Sequence, residues 1–151
     1  MTATIQKAKI EEASIIADFQ IEMAWETEKY KLNPETITKG VEAVFMKPEL
    51  GQYYVAKIDG EIVASLLTTY EWSDWRNASV LWIQSVFVVK EYRRQGIFQL
   101  FYKHIKAIVK QDDNIGGIRL YVDKTNIPAQ KTYSKVGMNG EHYQLFEWMK
   151  D

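Results

Sequence analysis

The sequence predicts an α/β fold with a mixed, mostly antiparallel central sheet, one parallel β-α-β pair and helices on both faces. The first supporting observation is a hairpin signal. Asp59-Gly60, a dipeptide that readily forms a tight reversal, separates two β-prone runs at residues 53–58 and 61–70. We therefore expect these two runs to be antiparallel neighbours.

The second observation is an apolar strand that leads into a crossover helix. Residues 80–89 are almost continuously apolar, which is typical of a central strand covered on both faces. An amphipathic helix is expected at residues 97–110, and a further strand at residues 118–122. Because a helical crossover returns the chain in its original direction, the second of these strands is expected to pair parallel to the first.

The remaining segments place two helices before the hairpin and one strand at the end. Residues 3–8 alternate as in a strand, and an apolar stripe beginning at Ile15 predicts a helix that ends near Trp25. Asn33-Pro34 predicts the start of the second helix. The aromatic, β-prone residues 142–149 predict a last antiparallel strand.

Length and composition limit the class of protein. A chain of 151 residues with 46% hydrophobic residues fits one domain, residues 1–151. Its 19 Lys and Arg residues balance 20 Asp and Glu residues, which argues against a dedicated nucleic-acid-binding protein. Cysteine is absent, which excludes disulfides and cysteine-ligated zinc.

Two further classes are not expected. The two histidines, His104 and His142, lack the spacing of metal ligands, so we expect no metal site. The N-terminus lacks the apolar core of a signal peptide, and no run approaches the roughly 20 apolar residues that span a bilayer. These observations predict a protein without membrane association and with a cytoplasmic location.

A basic, glycine-containing turn joins the central strand to the crossover helix. The first-turn N–H groups of a helix have no intrahelical partner, and the helix dipole favours an anion beside them. Arg93 and Arg94 add positive charge, and Gly96 lets the backbone approach a ligand closely. The junction therefore predicts a phosphate-binding site.

A second motif follows at residues 120–138, where a strand, an Asn-bearing turn and a short helix end at a glycine. It carries Asn126, Ala129, Tyr133 and Gly137. The Arg-x-x-Gly spacing of the first motif and this spacing together resemble the GCN5-related N-acetyltransferase superfamily. The resemblance covers roughly residues 52–148 and implies that family's fold.

The resemblance implies that acetyl-CoA binds as cosubstrate along the central strand. The backbone of Val86, Phe87 and Val88 would contact the pantetheine arm as an added strand does, beside a bulge, and the Val88 N–H would polarise the thioester carbonyl. Phe98 departs from the family's Gly or Ala, and we expect its ring to continue the buried stripe of Phe101. The implied cofactor-binding residues of the turn and the later helix are Arg93, Arg94, Gln95, Gly96, Ile97, Phe98, Gln99 and Asn126.

By resemblance, the catalytic acid is Tyr133, which would protonate the departing CoA thiolate. The general base is less obvious. Gln84 stands where many relatives carry Glu, and Tyr121 stands where some relatives do. Glutamine cannot accept the proton, but it can orient a water that passes the proton onward. Glu71 and Asp74 are then the carboxylate candidates for proton removal.

Aromatic and acidic residues predict a pocket for a cationic acceptor. The aromatic and acidic residues 71–76 are expected to form one wall of this pocket. By family analogy, the connection between the first two helices would line the opposite wall. The leading prediction is an N-acetyltransferase acting on a small cationic amine. The alternatives are acetylation of a protein lysine or N-terminus, or a noncatalytic acyl-CoA sensor, and a homodimer is left open. The expected substrate-binding residues are Trp25, Glu26, Glu28, Tyr30, Trp72 and Trp75.

Overall fold

The computed structural model describes residues 2–150, in which the chain divides into two compact units. The first unit runs to Arg119 and the second begins at Leu120. The single domain predicted from chain length stays a prediction. In the first unit the elements are β1 (Thr4–Lys7), α1 (Ala13–Glu28), α2 (Pro34–Met46), β2 (Gln52–Ile58), β3 (Glu61–Ser73), β4 (Ala78–Val88), α3 (Ile97–Gln111) and β5 (Ile115–Arg119); the second contains α4 (Ile127–Lys135).

The first unit contains a five-stranded sheet in the order β1-β2-β3-β4-β5. Neighbouring strands are antiparallel except β4 and β5, which are parallel across the crossover helix α3. The predicted hairpin is confirmed: Ile58 pairs with Glu61, and Asp59 and Gly60 take φ values of 51° and 79°. Two consecutive left-handed residues give the reversal that matches strand twist.

Helices cover both faces of this sheet. On one face Tyr53 and Val55 of β2 belong to a buried cluster with Ile16 of α1 and Val41 of α2. Tyr54 points to the other face, where its ring lies 5.7 Å from that of His104 on α3. Adjacent residues of one strand thus contact different helical layers, as strand alternation requires. The predicted mixed α/β fold is confirmed.

Local sequence signals explain where α2 begins and which face of α3 is buried. The Asn33 side chain accepts hydrogen bonds from the N–H groups of Glu35 and Thr36, at 2.9 and 3.1 Å, which caps α2 as predicted. On α3 the buried residues are Ile97, Phe101 and Ile105. The prediction that Phe98 joins this stripe is wrong, because Phe98 lies to one side of the buried stripe on the surface of α3. Its half-buried ring instead stacks on Tyr102, with ring centroids 6.3 Å apart.

The end of the chain differs from the prediction in two ways. β5 ends at Arg119, so the parallel strand covers residues 115–119 rather than 118–122. Residues 142–149 form no strand within the part of the chain that the structure describes, and the predicted last antiparallel strand is wrong for them. Aromatic composition favours a strand only when a partner strand provides hydrogen bonds and cross-strand contacts.

Candidate active site

The central strand β4 is paired on both edges over only part of its length. Its register with β5 runs from Ser79–Ile115 to Trp82–Arg119, where β5 ends. Its register with β3 continues to Val88–Ala64. Within residues 2–119, the last six residues of β4 therefore have a strand partner on the β3 side alone. The backbone edge of residues 83–88 on the opposite side is suited to bind an extended ligand by strand addition.

A bulge interrupts β4 within this stretch, as the sequence analysis expected. Ser65 pairs with Phe87 and Leu67 pairs with Gln84, so two steps on β3 match three steps on β4. Ser85 takes a left-handed φ of 56° at the extra residue. Cross-strand partners share a face, so the bulge places Gln84 and Phe87 together on the face covered by α1. Three residues apart in a regular strand, they would point to opposite faces.

The peptide groups after the bulge have a defined orientation. The Val89 N–H donates to the Val63 carbonyl at 2.9 Å, so Val89 and Val63 form a hydrogen-bonded pair. Alternation along an antiparallel ladder makes the preceding pair, Val88 and Ala64, a non-hydrogen-bonded one. The Val88 N–H and carbonyl therefore point away from β3, towards the edge that β5 does not reach.

The turn after β4 is shaped by left-handed residues. Arg94 and Gly96 have φ values of 64° and 79°, and Gly96 is the N-cap of α3. The Leu100 N–H donates to the Gly96 carbonyl at 3.2 Å and begins the helical ladder. The N–H groups of residues 97–99 precede that ladder and carry the positive end of the helix dipole. The turn thus has the backbone geometry of an anion-binding site.

The predicted carboxylates do not form one acidic wall with the tryptophans. Glu71 of β3 forms an ion pair with Arg119 of β5, and this ion pair crosses the intervening strand β4. Trp72 is the next residue of β3 and points to the opposite face, as strand alternation requires. Asp74 lies in the hairpin tip, where its Oδ1 accepts from the Trp75 N–H at 2.9 Å, and the Trp75 side chain is 93% exposed.

Gln84 lies on the α1 face with its amide held by a neighbour. Its Nε2 donates to Thr69 Oγ1 at 2.8 Å. Thr69 belongs to β3, opposite Trp82. This contact uses the amide N–H of Gln84, so the carbonyl oxygen Oε1 is the atom that can accept a hydrogen bond from a water. The side chain can therefore orient a water but cannot take a proton at neutral pH.

The last turn of α1 brings together two residues that were expected to bind different ligands. Arg93, expected on the cofactor, donates from Nη2 to Glu26 Oε2 at 2.8 Å, whereas Glu26 was expected on the acceptor. The other three predicted acceptor residues of this region, Trp25, Glu28 and Tyr30, are exposed. Their contacts with an acceptor stay predictions.

The second unit carries the other motif. Asn126 Oδ1 accepts from the Ala129 N–H at 3.1 Å and caps α4. Burial raises the pKa of the Tyr133 phenol above its ordinary value of 10. The phenol is therefore protonated at neutral pH and can act as a proton donor.

Sequence reasoning missed two residues of the first unit that hold the predicted ones. Arg119 pairs with Glu71, and Thr69 orients Gln84. A basic residue at the predicted edge of a parallel strand was the available signal for Arg119. Thr69 had no signal, since its partner depends on the cross-strand register.

In the described chain, no cluster of three or more His, Cys, Asp or Glu side chains could hold a metal ion, and no helix has the length and apolarity to span a membrane.

The comparison with known families identifies the class of protein to which this bulged central strand and glycine-containing turn belong. A model of the acetyltransferase (GNAT) family matches residues 11–138. The chain belongs to this family and is an acyl-CoA-dependent N-acetyltransferase.

Curated relatives and solved structures support this assignment. N-alpha-acetyltransferases of Sulfurisphaera tokodaii and Saccharolobus solfataricus are 27% and 28% identical over 117 residues, covering 71% and 70% of this chain and 70% of each relative. A structure described as a possible acetyltransferase from Clostridium difficile 630 is 42% identical, with a TM-score of 0.91 and coverage of 100% and 99%. A Clostridium acetobutylicum acetyltransferase described with acetyl-CoA shares the fold, with 16% identity, a TM-score of 0.73 and coverage of 97% and 96%.

The left-handed bulge residue gives a direct test of the strand geometry. Ser85→Val should destabilise the protein by about 1–2 kcal/mol, because a β-branched side chain is strained at positive φ. Ser79→Val is the matched control in the same strand, where extended backbone tolerates valine. Denaturant unfolding of both variants measures the difference. Equal stability of the two variants would contradict the bulge at this position.

Proposed function

We propose that this protein transfers the acetyl group of acetyl-CoA to a primary amine by direct attack in a ternary complex. We further propose that the acceptor is the α-amino group of a peptide chain. The observation that carries the choice of acceptor is Gln84, which stands where the family resemblance places a glutamate. A site with a glutamine there is best suited to an amine that needs little help in losing its proton.

The acidity of the amine decides how much a general base is needed. An α-amino group has a pKa of about 7.7–8.0, so about a fifth to a third of it is neutral at pH 7.4. A lysine-like ammonium has a pKa of about 10.4, so only about one molecule in a thousand is neutral. A water oriented by Gln84 Oε1 suffices for the first amine and leaves the second with a far smaller reactive fraction. The names of the two curated relatives agree with the first acceptor.

The positions of the carboxylates also favour this acceptor. Glu26 and Glu71, two of the groups expected to attract a cation, are paired with Arg93 and Arg119. Each ion pair has no net charge, so the attraction for a polycation is reduced. The small cationic amine is the second candidate, supported by Asp74 and by the exposed aromatic side chains Trp25 and Tyr30 near the end of α1.

Each chemical role is assigned to a group of this chain. The edge of β4 at residues 86–88 that faces away from β3 would bind the pantetheine arm, and the N–H groups of residues 94–99 would bind the pyrophosphate. The outward Val88 N–H would stabilise the negative charge that develops on the thioester oxygen. The attacking amine would pass its proton to a water oriented by Gln84, which would pass it on to bulk solvent. Asn126 would bind the pantetheine arm, and the Tyr133 phenol would protonate the departing thiolate. A cytoplasmic location and a homodimer remain expectations.

An acceptor panel tests the function. Release of free CoA should occur with peptides that carry a free α-amino group, and kcat/KM should rise through about pH 7.7–8.0 and level off near pH 9. The matched control is the same lysine-containing peptide with its N-terminus already acetylated. Turnover of spermidine but not of peptides, with a raised acceptor KM in Glu71→Gln and Asp74→Asn, would instead support the small cationic amine. CoA binding without turnover of any amine would support a sensor.

The pyrophosphate site predicts a selective effect at Gly96. Gly96→Val should raise the Kd of acetyl-CoA by about tenfold or more, because valine resists the left-handed conformation that orients the N–H groups of α3. The control is Gly60→Val, which strains a glycine with the same φ of 79° in the hairpin of β2 and β3. Calorimetric titration measures both, with folding checked by circular dichroism. Equal acetyl-CoA affinity in the two variants would place the pyrophosphate elsewhere.

The role of Tyr133 predicts a loss of turnover without a loss of binding. Tyr133→Phe should lower kcat by about 10²- to 10⁴-fold and leave the acetyl-CoA Kd almost unchanged. Tyr102→Phe, which removes a phenol from the surface of α3, is the control and should retain parental kinetics. A kcat within twofold of the parent in Tyr133→Phe would exclude this residue as the acid.

A further inference from the structure

Arg93 occupies a different place from its neighbour Arg94 although both belong to the basic turn. Its Nε donates to the Val88 carbonyl at 2.8 Å, and its Nη2 donates to Glu26 Oε2 at 2.8 Å. Its guanidinium carbon lies 5.5 Å from the centre of the Phe87 ring. Three contacts of one planar cation therefore bind the end of β4 to the last turn of α1.

The end of α1 carries negative charge that such a partner offsets. Its last turn holds Glu26 and Glu28 at the negative end of the helix dipole, and the Nζ of the C-cap residue Lys29 lies 5.1 Å from the centre of the Trp25 ring. The Arg93 guanidinium supplies the compensating charge from another element. Phe19 of α1 also contacts Phe87, with ring centroids 4.9 Å apart, so α1 and β4 meet through an apolar and an ionic contact side by side.

The carbonyl that Arg93 holds belongs to the residue proposed to stabilise the thioester oxygen. The Val88 carbonyl and N–H point to the same edge of β4, so a guanidinium that fixes the carbonyl also restrains the direction of the N–H. Glu26 restrains the guanidinium in turn. The bond from the Val89 N–H to Val63 is the adjacent ladder bond and reports whether the strand end is held.

We propose that Arg93 is a positioning residue that acts through Val88, with Glu26 as its anchor, and is not a ligand of the CoA phosphates. This rests on the proposed function for the role of Val88. The phosphate charge is then supplied by Arg94 and by the backbone of the turn. Removal of Glu26 or Arg93 should impair the chemical step and leave cosubstrate affinity intact.

The experiment compares Glu26→Gln and Arg93→Gln with Glu22→Gln. Glu22 lies one turn earlier on the exposed surface of α1, so the control removes the same charge from the same helix. We expect kcat to fall about tenfold in the first two variants, with the acetyl-CoA Kd within about twofold of the parent. The double variant should be no worse than Arg93→Gln, because both changes break one connection. Arg94→Gln should weaken acetyl-CoA binding and reduce its dependence on salt.

A second readout is independent of turnover. Amide hydrogen exchange at Val89 should accelerate about tenfold in Glu26→Gln and Arg93→Gln and stay unchanged in Glu22→Gln. Kinetics and exchange in Glu26→Gln that match the Glu22→Gln control would overturn the proposal. So would weaker acetyl-CoA binding with unchanged kcat in Arg93→Gln, which is the behaviour of a phosphate ligand. If the parent protein turned over no amine, the proposed function would fail, and Val89 exchange alone would decide whether Arg93 holds the strand.

Discussion

Within residues 2–119, the site depends on one constraint, which is that β4 extends beyond the end of its neighbour β5. A central strand normally has its backbone groups taken up by strands on both sides, and nothing can then bind along it. Here β5 stops at Arg119, opposite Trp82, while β3 continues to support β4 as far as Val88. The pairing with β3 holds the backbone of the unpaired edge in place on both sides of the bulge. A rigid element thus presents hydrogen-bonding groups that a loop could offer only at a greater entropic cost.

The bulge at Ser85 divides this strand into two functional parts. Before it, Gln84 is bound to Thr69 on the α1 face, and after it, Val88 presents its peptide groups at the edge. A single extra residue therefore brings a side chain that can orient a water and an outward-facing backbone N–H within a few residues of chain. The left-handed backbone at Ser85 is the local cost, and the β3 register on both sides of the bulge maintains it.

Much of the fold followed from local sequence, whereas the ion pairs did not. Asp59-Gly60 and Asn33-Pro34 specify a turn and a helix start through their own backbone preferences, so both were predictable. The bulge was expected from the family resemblance. The partners of Glu71 and Glu26 depend on which side chains the sheet register and the α1 packing bring together, and no single segment contains that information. The prediction of a strand at residues 142–149 was wrong for the same reason, because strand pairing depends on two segments and not on one.

The hairpin of β3 and β4 has a practical consequence for the protein in solution. Trp72 and Trp75 are 64% and 93% exposed on this projection, while the formal net charge of the whole chain is only −1. Like-charge repulsion between copies is weak at such a balance, so it does little to oppose the apolar attraction that exposed indoles provide. Colloidal stability should therefore be better at a pH that gives the molecule a larger charge.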